Sequence, residues 1–246
     1  MRDSADGPAV RVGCAGWTVP GGHAARFPGE GSHLERYARV FGAAEINSSF
    51  HRPHRRSTYE RWAASTPPGF RFSVKLPKEI THRRKLADAA EPLERFLAEA
   101  GGLGEKLGPL LVQLPPSLAF DPVAAAGFFA LLRGRWDGHV VLEPRHPSWL
   151  AAEPEGLLAA HRVARVAADP APAPTAAEPG GWAGLAYFRL HGSPRTYYSA
   201  YTPDVLDALA ARLRPLSRAG PAWCIFDNTA AGAAAGDALE LLRRLA

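Results

Sequence analysis

The chain has 246 residues, 46% of them hydrophobic and 22% charged, the make-up of a globular protein with a buried core and the length of one large domain. Its 29 basic and 24 acidic residues leave a formal charge of +5 and a pI of about 9.5, an excess that suits an anionic ligand but is too small to indicate nucleic acid by itself. Two cysteines, Cys14 and Cys224, exclude a disulfide scaffold and a four-cysteine zinc site; no apolar run is long enough to span a bilayer, and the polar start Met1 to Pro8 lacks a signal-peptide core, so a cytoplasmic location is expected.

Apolar, often β-branched runs bounded by Gly and Pro predict strands at Val10–Cys14, Ala43–Asn47, Arg71–Lys75, Leu110–Leu114, Val140–Glu143, Val163–Ala168, Ala186–Leu190 and Trp223–Phe226. They recur about every 30 residues, the size of one βα unit. Between them, Ser32 and Glu35 form a capping-box pattern before Leu34, Tyr37 and Phe41, and Ser57 and Glu60 repeat it before Trp62. Pro92, Pro122 and Pro203 stand where first helical turns begin, the latter two directly after Asp121 and Thr202. The segment Asp169 to Gly184 is rich in Pro, Ala and Gly without a helical period, which predicts a long loop in place of the sixth helix. Asp237 precedes a final amphipathic run through Leu241, Leu242 and Leu245. Strands alternating with helices imply a parallel sheet, and eight such units predict a single TIM-type β/α barrel over residues 10–246, after a flexible tail at residues 1–9. Closure makes the first and last strands neighbours, so Cys14 and Cys224 are expected on adjacent strands.

The functional signal is a repeated spacing at the strand ends. Polar residues stand two apart in Glu45 and Asn47, Ser73 and Lys75, Glu143 and Arg145, and Arg189 and His191, while Gln113 and Asp169 end two further strands. Residues two apart in a strand share a face. Charges facing the helices would be costly unless paired, so these side chains are expected in the barrel mouth, where this fold places active sites. Ion pairs that only fill and orient the barrel core are the structural alternative.

The segments EINSSF (Glu45–Phe50), FSVKLPKEITH (Phe72–His82), LLVQLPPS (Leu110–Ser117), LEPRHPSWL (Leu142–Leu150), YFRLHGSP (Tyr187–Pro194) and FDNTAAGAA (Phe226–Ala234) resemble the YecE-like family, known as domain of unknown function seventy-two. The most specific element is Glu143-Pro-Arg145-His146 with Trp149, combined with Arg189, His191 and Gly192. The resemblance runs from about Val10 to the C-terminus and implies a β/α barrel; it carries no reaction with it. Asp227 stands before Asn228 where family members often have two asparagines.

Side-chain chemistry then assigns roles. Glu143, His191 and Lys75 are the candidate catalytic residues, His191 because its ordinary pKa lies near neutrality. Arg145, Arg189 and Lys75 suit a carboxylate or phosphate, and Glu45, Asn47, Gln113, His146, Asp169, Tyr201, Asp227 and Asn228 are candidate substrate contacts. Tyr197 and Tyr198 can wall a pocket or simply pack. Small-residue loops after the last two strands, with Arg195 and Gly232, suggest an anion site at a helix N-terminus. No cofactor is expected; Glu45, Glu143, His146, Asp169, His191 and Asp227 are metal-ligand types, but no HxH or HExxH motif orders them, and a divalent metal stays an alternative. His51, His54 and His82 with Arg52, Arg55, Arg56, Arg83 and Arg84 make the second and third loops basic, either a solvated rim or an anion-steering funnel. The leading expectation is an enzyme acting on a phosphorylated or otherwise anionic small molecule by acid–base hydrolysis or isomerisation. A nucleic-acid-binding or -processing protein and a non-catalytic ligand binder are the alternatives; no membrane partner is expected, and the oligomeric state is open.

Overall fold

The computed structural model describes residues 10–246, and the tail expected at residues 1–9 lies outside the described residues. Strands and helices alternate as β1 (Arg11–Cys14), α1 (His33–Ala38), β2 (Ala43–Ile46), α2 (Arg56–Ala64), β3 (Arg71–Lys75), α3 (Ala90–Ala100), β4 (Leu107–Gln113), α4 (Pro122–Arg133), β5 (Val140–Glu143) and α5 (Ala152–Ala160). The order continues with β6 (Val163–Arg165), β7 (Ala167–Asp169), β8 (Gly180–Gly181), β9 (Ala186–Leu190), α6 (Pro203–Ala219), β10 (Ala222–Phe226) and α7 (Ala233–Leu245). Where the sixth helix is missing, the chain has only a 3₁₀ turn at Pro174–Ala177 and β8, which pairs antiparallel with β6.

The strands form two sheets, in the orders β1-β10-β9-β7 and β2-β3-β4-β5-β6-β8. All pairings except β6–β8 are parallel. The predicted sixth strand is thus divided at Val166: its first half pairs with β5 and its second with β9. At the other seam, β1 and β2 share one parallel bridge, Ala15–Glu45. A tyrosine explains why the ladder stops there. Tyr37 Oη accepts from the Cys14 N–H (2.7 Å) and donates to the Ala43 carbonyl (3.0 Å), so a hydroxyl fills the hydrogen-bonding gap between the strands. Gly13 permits the approach, since a Cβ there would meet the Ala43 oxygen at 2.1 Å. The first and last strands are neighbours, with Val12 opposite Cys224, and both cysteines are buried and free.

Period-two alternation divides the strand residues between two cores. Val12, Ile46, Phe72, Val112, Leu142, Phe188 and Phe226 pack with helix residues such as Leu34, Leu93, Phe128, Leu206 and Leu241. Ala43, Leu111, Val141, Ala164, Tyr187, Trp223 and Ile225, from strands of both sheets, form a second apolar cluster. Two residues further along β2, β5 and β9 the same face carries Glu45, Glu143 and Arg189. The apolar layer is therefore a floor, and the charged residues stand on it.

Local signals set most helix starts. Ser32 caps α1 in a full capping box with Glu35, and Asp121 caps α4 through the Val123 and Ala124 N–H groups. Two expectations are corrected. The Ser57–Glu60 box does not form, because α2 begins one residue earlier than Ser57 and Glu60 pairs with Arg56 at 2.9 Å. Asp237 does not precede the last helix; α7 starts at Ala233, and Asp237 is buried inside it.

Candidate active site

Arg189 is the hub of the site. It is 1% exposed, and its guanidinium donates to three carboxylates. Nε and Nη2 grip Glu45 at 2.9 and 2.6 Å, Nη1 reaches Glu143 at 2.7 Å, and Nη2 reaches Asp227 at 3.1 Å. The rigid planar fork lets one side chain tie the ends of β2, β5 and β10 together from β9. Beneath it, Tyr187 Oη donates to Glu45 (3.1 Å) or Ser73 (2.9 Å), and its ring stacks on Trp223 at 5.9 Å. Arg189 is thus an internal counter-ion, enclosed by carboxylates.

Just past the end of β9, His191 is fully buried between two of the same acids. Nδ1 lies 3.0 Å from Asp227, and Nε2 lies 3.0 Å from Glu143 and 2.9 Å from Arg145 Nη2. Arg145 also pairs with Glu143, keeps 18% of its side chain exposed, and has a buried Nε without a partner. Lys75, 7% exposed, ends β3 with its Nζ 4.0 Å from the centroid of Phe50.

The electrostatics follow from this packing. Burial penalises the Glu143 carboxylate, but Arg189, His191 and Arg145 outweigh that and hold it well below the usual carboxylate range. Asp227 is likewise lowered by Arg189 and His191 against its burial. For His191 burial favours the neutral ring, yet Glu143 and the hydrogen bonds to both acids raise its pKa above 6.5. Burial and Arg189 push Lys75 down to about 8, against the pull of Glu45, Glu143 and Asp227.

A pH dependence follows. The raised His191 pKa contributes stability that is fully present below about 6.5 and is lost as pH rises through the higher folded value. The lowered Glu143 and Asp227 contribute stability present above their ordinary values of 4.5 and 3.8, and lost as pH falls through the depressed ones. Urea midpoints are expected to decline as pH rises above about 6.5, and a His191→Asn protein should lack that decline. Parallel curves for the two proteins would contradict the ring's charged state.

The remaining candidates lie around this cluster. Asn47 follows β2 with a buried, unpartnered Oδ1. Gln113 lies opposite Glu143 in register, but its amide donates to the neighbouring Leu114 carbonyl. His146 accepts from the Ser148 N–H and so organises the turn Pro147–Leu150. Tyr201 donates to Asp169 at 2.6 Å and accepts from the Gly192 N–H at 2.8 Å, fixing the loop after β9. Asn228 donates to Asp237 and to the Ser199 carbonyl. Arg195 is away from the cluster, its guanidinium 3.8 Å from the Tyr198 ring. Gly232, at φ 80°, caps α7 beside a cavity of about 420 Å³ shared with Cys14, Gly16 and Thr18. The basic loops are partly neutralised, because Arg56 pairs with Glu60 and both Arg83 and Arg84 pair with Glu79. Among the described residues, no three acidic, histidine or cysteine side chains converge as a metal site, and no helix is long and apolar enough to cross a membrane. Tyr187 and Asp237 escaped the sequence-based expectations; the two-residue spacing Tyr187, Arg189, His191 was the available signal for the first.

Fold and site together define an α/β protein of mainly parallel strands with a buried acid–base cluster at their C-terminal ends. The chain belongs to the family described as protein of unknown function DUF72, whose model matches residues 11–246. The UPF0759 protein YecE of Escherichia coli strain K12 is 31% identical over 119 residues, 48% of this chain, and the match spans only 43% of that relative. Two crystal structures of DUF72 family proteins are similar in fold. The one from Enterococcus faecalis V583 has a TM-score of 0.81 at 20% identity, over 96% of this chain and 95% of that chain. The one from Thermotoga maritima MSB8 has a TM-score of 0.78 at 25% identity, over 96% and 99%.

Proposed function

We propose that this protein is an enzyme that acts on a small anionic molecule by acid–base hydrolysis or isomerisation, in the mouth of a closed TIM-type barrel. Closure is supported by the parallel β1–β10 pairing, the Ala15–Glu45 bridge, the division of the sixth strand between β5 and β9, and the apolar cluster shared by both sheets. Eight strand positions then surround the site, counting β6 and β7 as one and leaving out the antiparallel β8.

One observation carries the catalytic reading: His191 has a hydrogen-bond partner in either protonation state. As a neutral ring it donates from Nδ1 to Asp227 and accepts at Nε2 from Arg145 (2.9 Å). As a cation it donates from Nε2 to Glu143 (3.0 Å). Neither state leaves a buried polar atom orphaned at Nε2, so the ring gains and loses a proton at low cost. Asp227 orients the ring, the ionised Glu143 stabilises its cation, and the partly exposed Arg145, with its free Nε, recognises the anionic group of the substrate.

The test is a thermal-shift panel of phosphorylated and carboxylated small molecules at high salt, followed by turnover of any ligand that stabilises the fold. His191→Asn and Glu143→Gln are expected to lower turnover by about 100-fold or more while remaining folded. Unchanged turnover in both variants would remove the proton-transfer role. Failure of the panel, combined with DNA affinity falling by several log units per log unit of salt, would favour a nucleic-acid partner instead.

A further inference from the structure

Lys75 is the one cation of the cluster that touches no carboxylate among the described residues. Arg189 and Arg145 are both ion-paired, and the three nearby acids are already committed to them and to His191. The lysine is 7% exposed, makes no side-chain hydrogen bond among the described residues, and rests its Nζ 4.0 Å from the Phe50 ring centroid. The backbone that carries it is fixed. Ser49 Oγ donates to the Lys75 carbonyl at 2.7 Å, and the next N–H, of Leu76, bonds to Leu111 at 2.9 Å. An apolar side chain would fill this space without the cost of desolvating an ammonium. A core-filling role does not account for a lysine here.

We infer that Lys75 is a covalent nucleophile whose amine condenses with the aldehyde or ketone group of an anionic substrate to form an imine. This rests on the acid–base reading above, because His191 supplies the proton carrier. The neutral Nζ attacks the carbonyl carbon; a C–N bond forms, the π electrons pass to oxygen, oxygen takes up a proton and nitrogen releases one. A second proton at the oxygen lets the C–O bond break with loss of water, and the nitrogen lone pair closes the C=N bond. The sum is amine, carbonyl and one proton giving protonated imine and water, with no oxidant or reductant. The protonated imine then withdraws electrons from the adjacent carbon and acidifies its C–H bond, which is the chemistry an isomerisation needs. An amine pushed down to about 8 by burial and Arg189 has a far larger neutral fraction near physiological pH than an ordinary lysine, as the attack requires.

The test uses glyoxylate, a small anionic aldehyde, with cyanoborohydride to reduce any imine to a stable carboxymethyl amine, read by peptide mapping. The sequence has only four lysines, Lys75, Lys78, Lys85 and Lys106, so the sites separate cleanly. At about pH 8, Lys75 in the folded protein should be labelled at least about tenfold faster than the other three, because its neutral fraction is larger. The preference should vanish in urea. Lys75→Arg, which keeps a cation against Phe50, should abolish that adduct alone. Labelling of Lys75 at or below the rate of the other lysines overturns the proposal. If panel ligands are turned over in a His191-dependent way without Lys75 labelling, the imine falls and the acid–base reading stands. If Lys75 is labelled selectively while His191→Asn leaves turnover unchanged, the imine stands and the acid–base reading falls.

Discussion

Substituting Arg189→Met is expected to destabilise the fold by about 3–5 kcal/mol, the cost of leaving buried charges without their partner. The native guanidinium makes four hydrogen bonds to Glu45, Glu143 and Asp227. Glu45 and Glu143 have no measurable exposure, so water cannot replace those bonds. Total stabilities of about 5–15 kcal/mol leave little margin, and the variant should be largely unfolded at low urea. The loss comes from breaking the network, since a buried ion cluster is by itself weak evidence of net stabilisation. Arg189→Lys separates the two effects: it restores the charge without the fork and should recover only part of the loss. Chemical denaturation measures both variants. An Arg189→Met protein within about 1 kcal/mol of the wild type would show that the three acids are protonated or hydrated in the native state.

Lys75→Met should have the opposite sign. An amine lowered from 10.5 to about 8 in the folded chain disfavours folding at neutral pH, by up to about 3 kcal/mol at about 1.4 kcal/mol per pH unit. Removing it and packing a thioether against Phe50 is expected to return about 2–3 kcal/mol at pH 7. The folded state binds fewer protons than the unfolded state between about 8 and 10.5, so wild-type stability rises over that range. The advantage of the variant should shrink accordingly, which distinguishes the removal of a charge from better packing. A stabilised protein that no longer reacts with glyoxylate would identify Lys75 as a residue held at a cost to stability for the sake of chemistry. A variant destabilised by more than about 1 kcal/mol would instead make the amine part of the scaffold.

Strand positions were legible because a strand buried on both faces reads as a short apolar run between breakers, and β3, β5 and β9 lie where those runs predict. The polar pairs at the strand ends were legible for a related reason: a period of two places Glu45 and Arg189 above Ala43 and Tyr187 whatever the rest of the chain does. Caps such as Ser32 with Glu35 depend on neighbours three residues apart and were legible too. Ser57 with Glu60 has the same pattern and failed, because Arg56 competes for the same carboxylate. Partner choice lay beyond any local rule. Arg189 meets Glu45 from 144 residues away, and nothing in either segment distinguishes an arginine that grips three acids from one that waits for a substrate. The same holds for Lys75, whose neighbours in sequence do not say that its amine is the unpaired one. Patterning sets which face a residue occupies, because that is a property of the backbone repeat; the three-dimensional packing alone decides which charges are neutralised, because that depends on which strand ends converge.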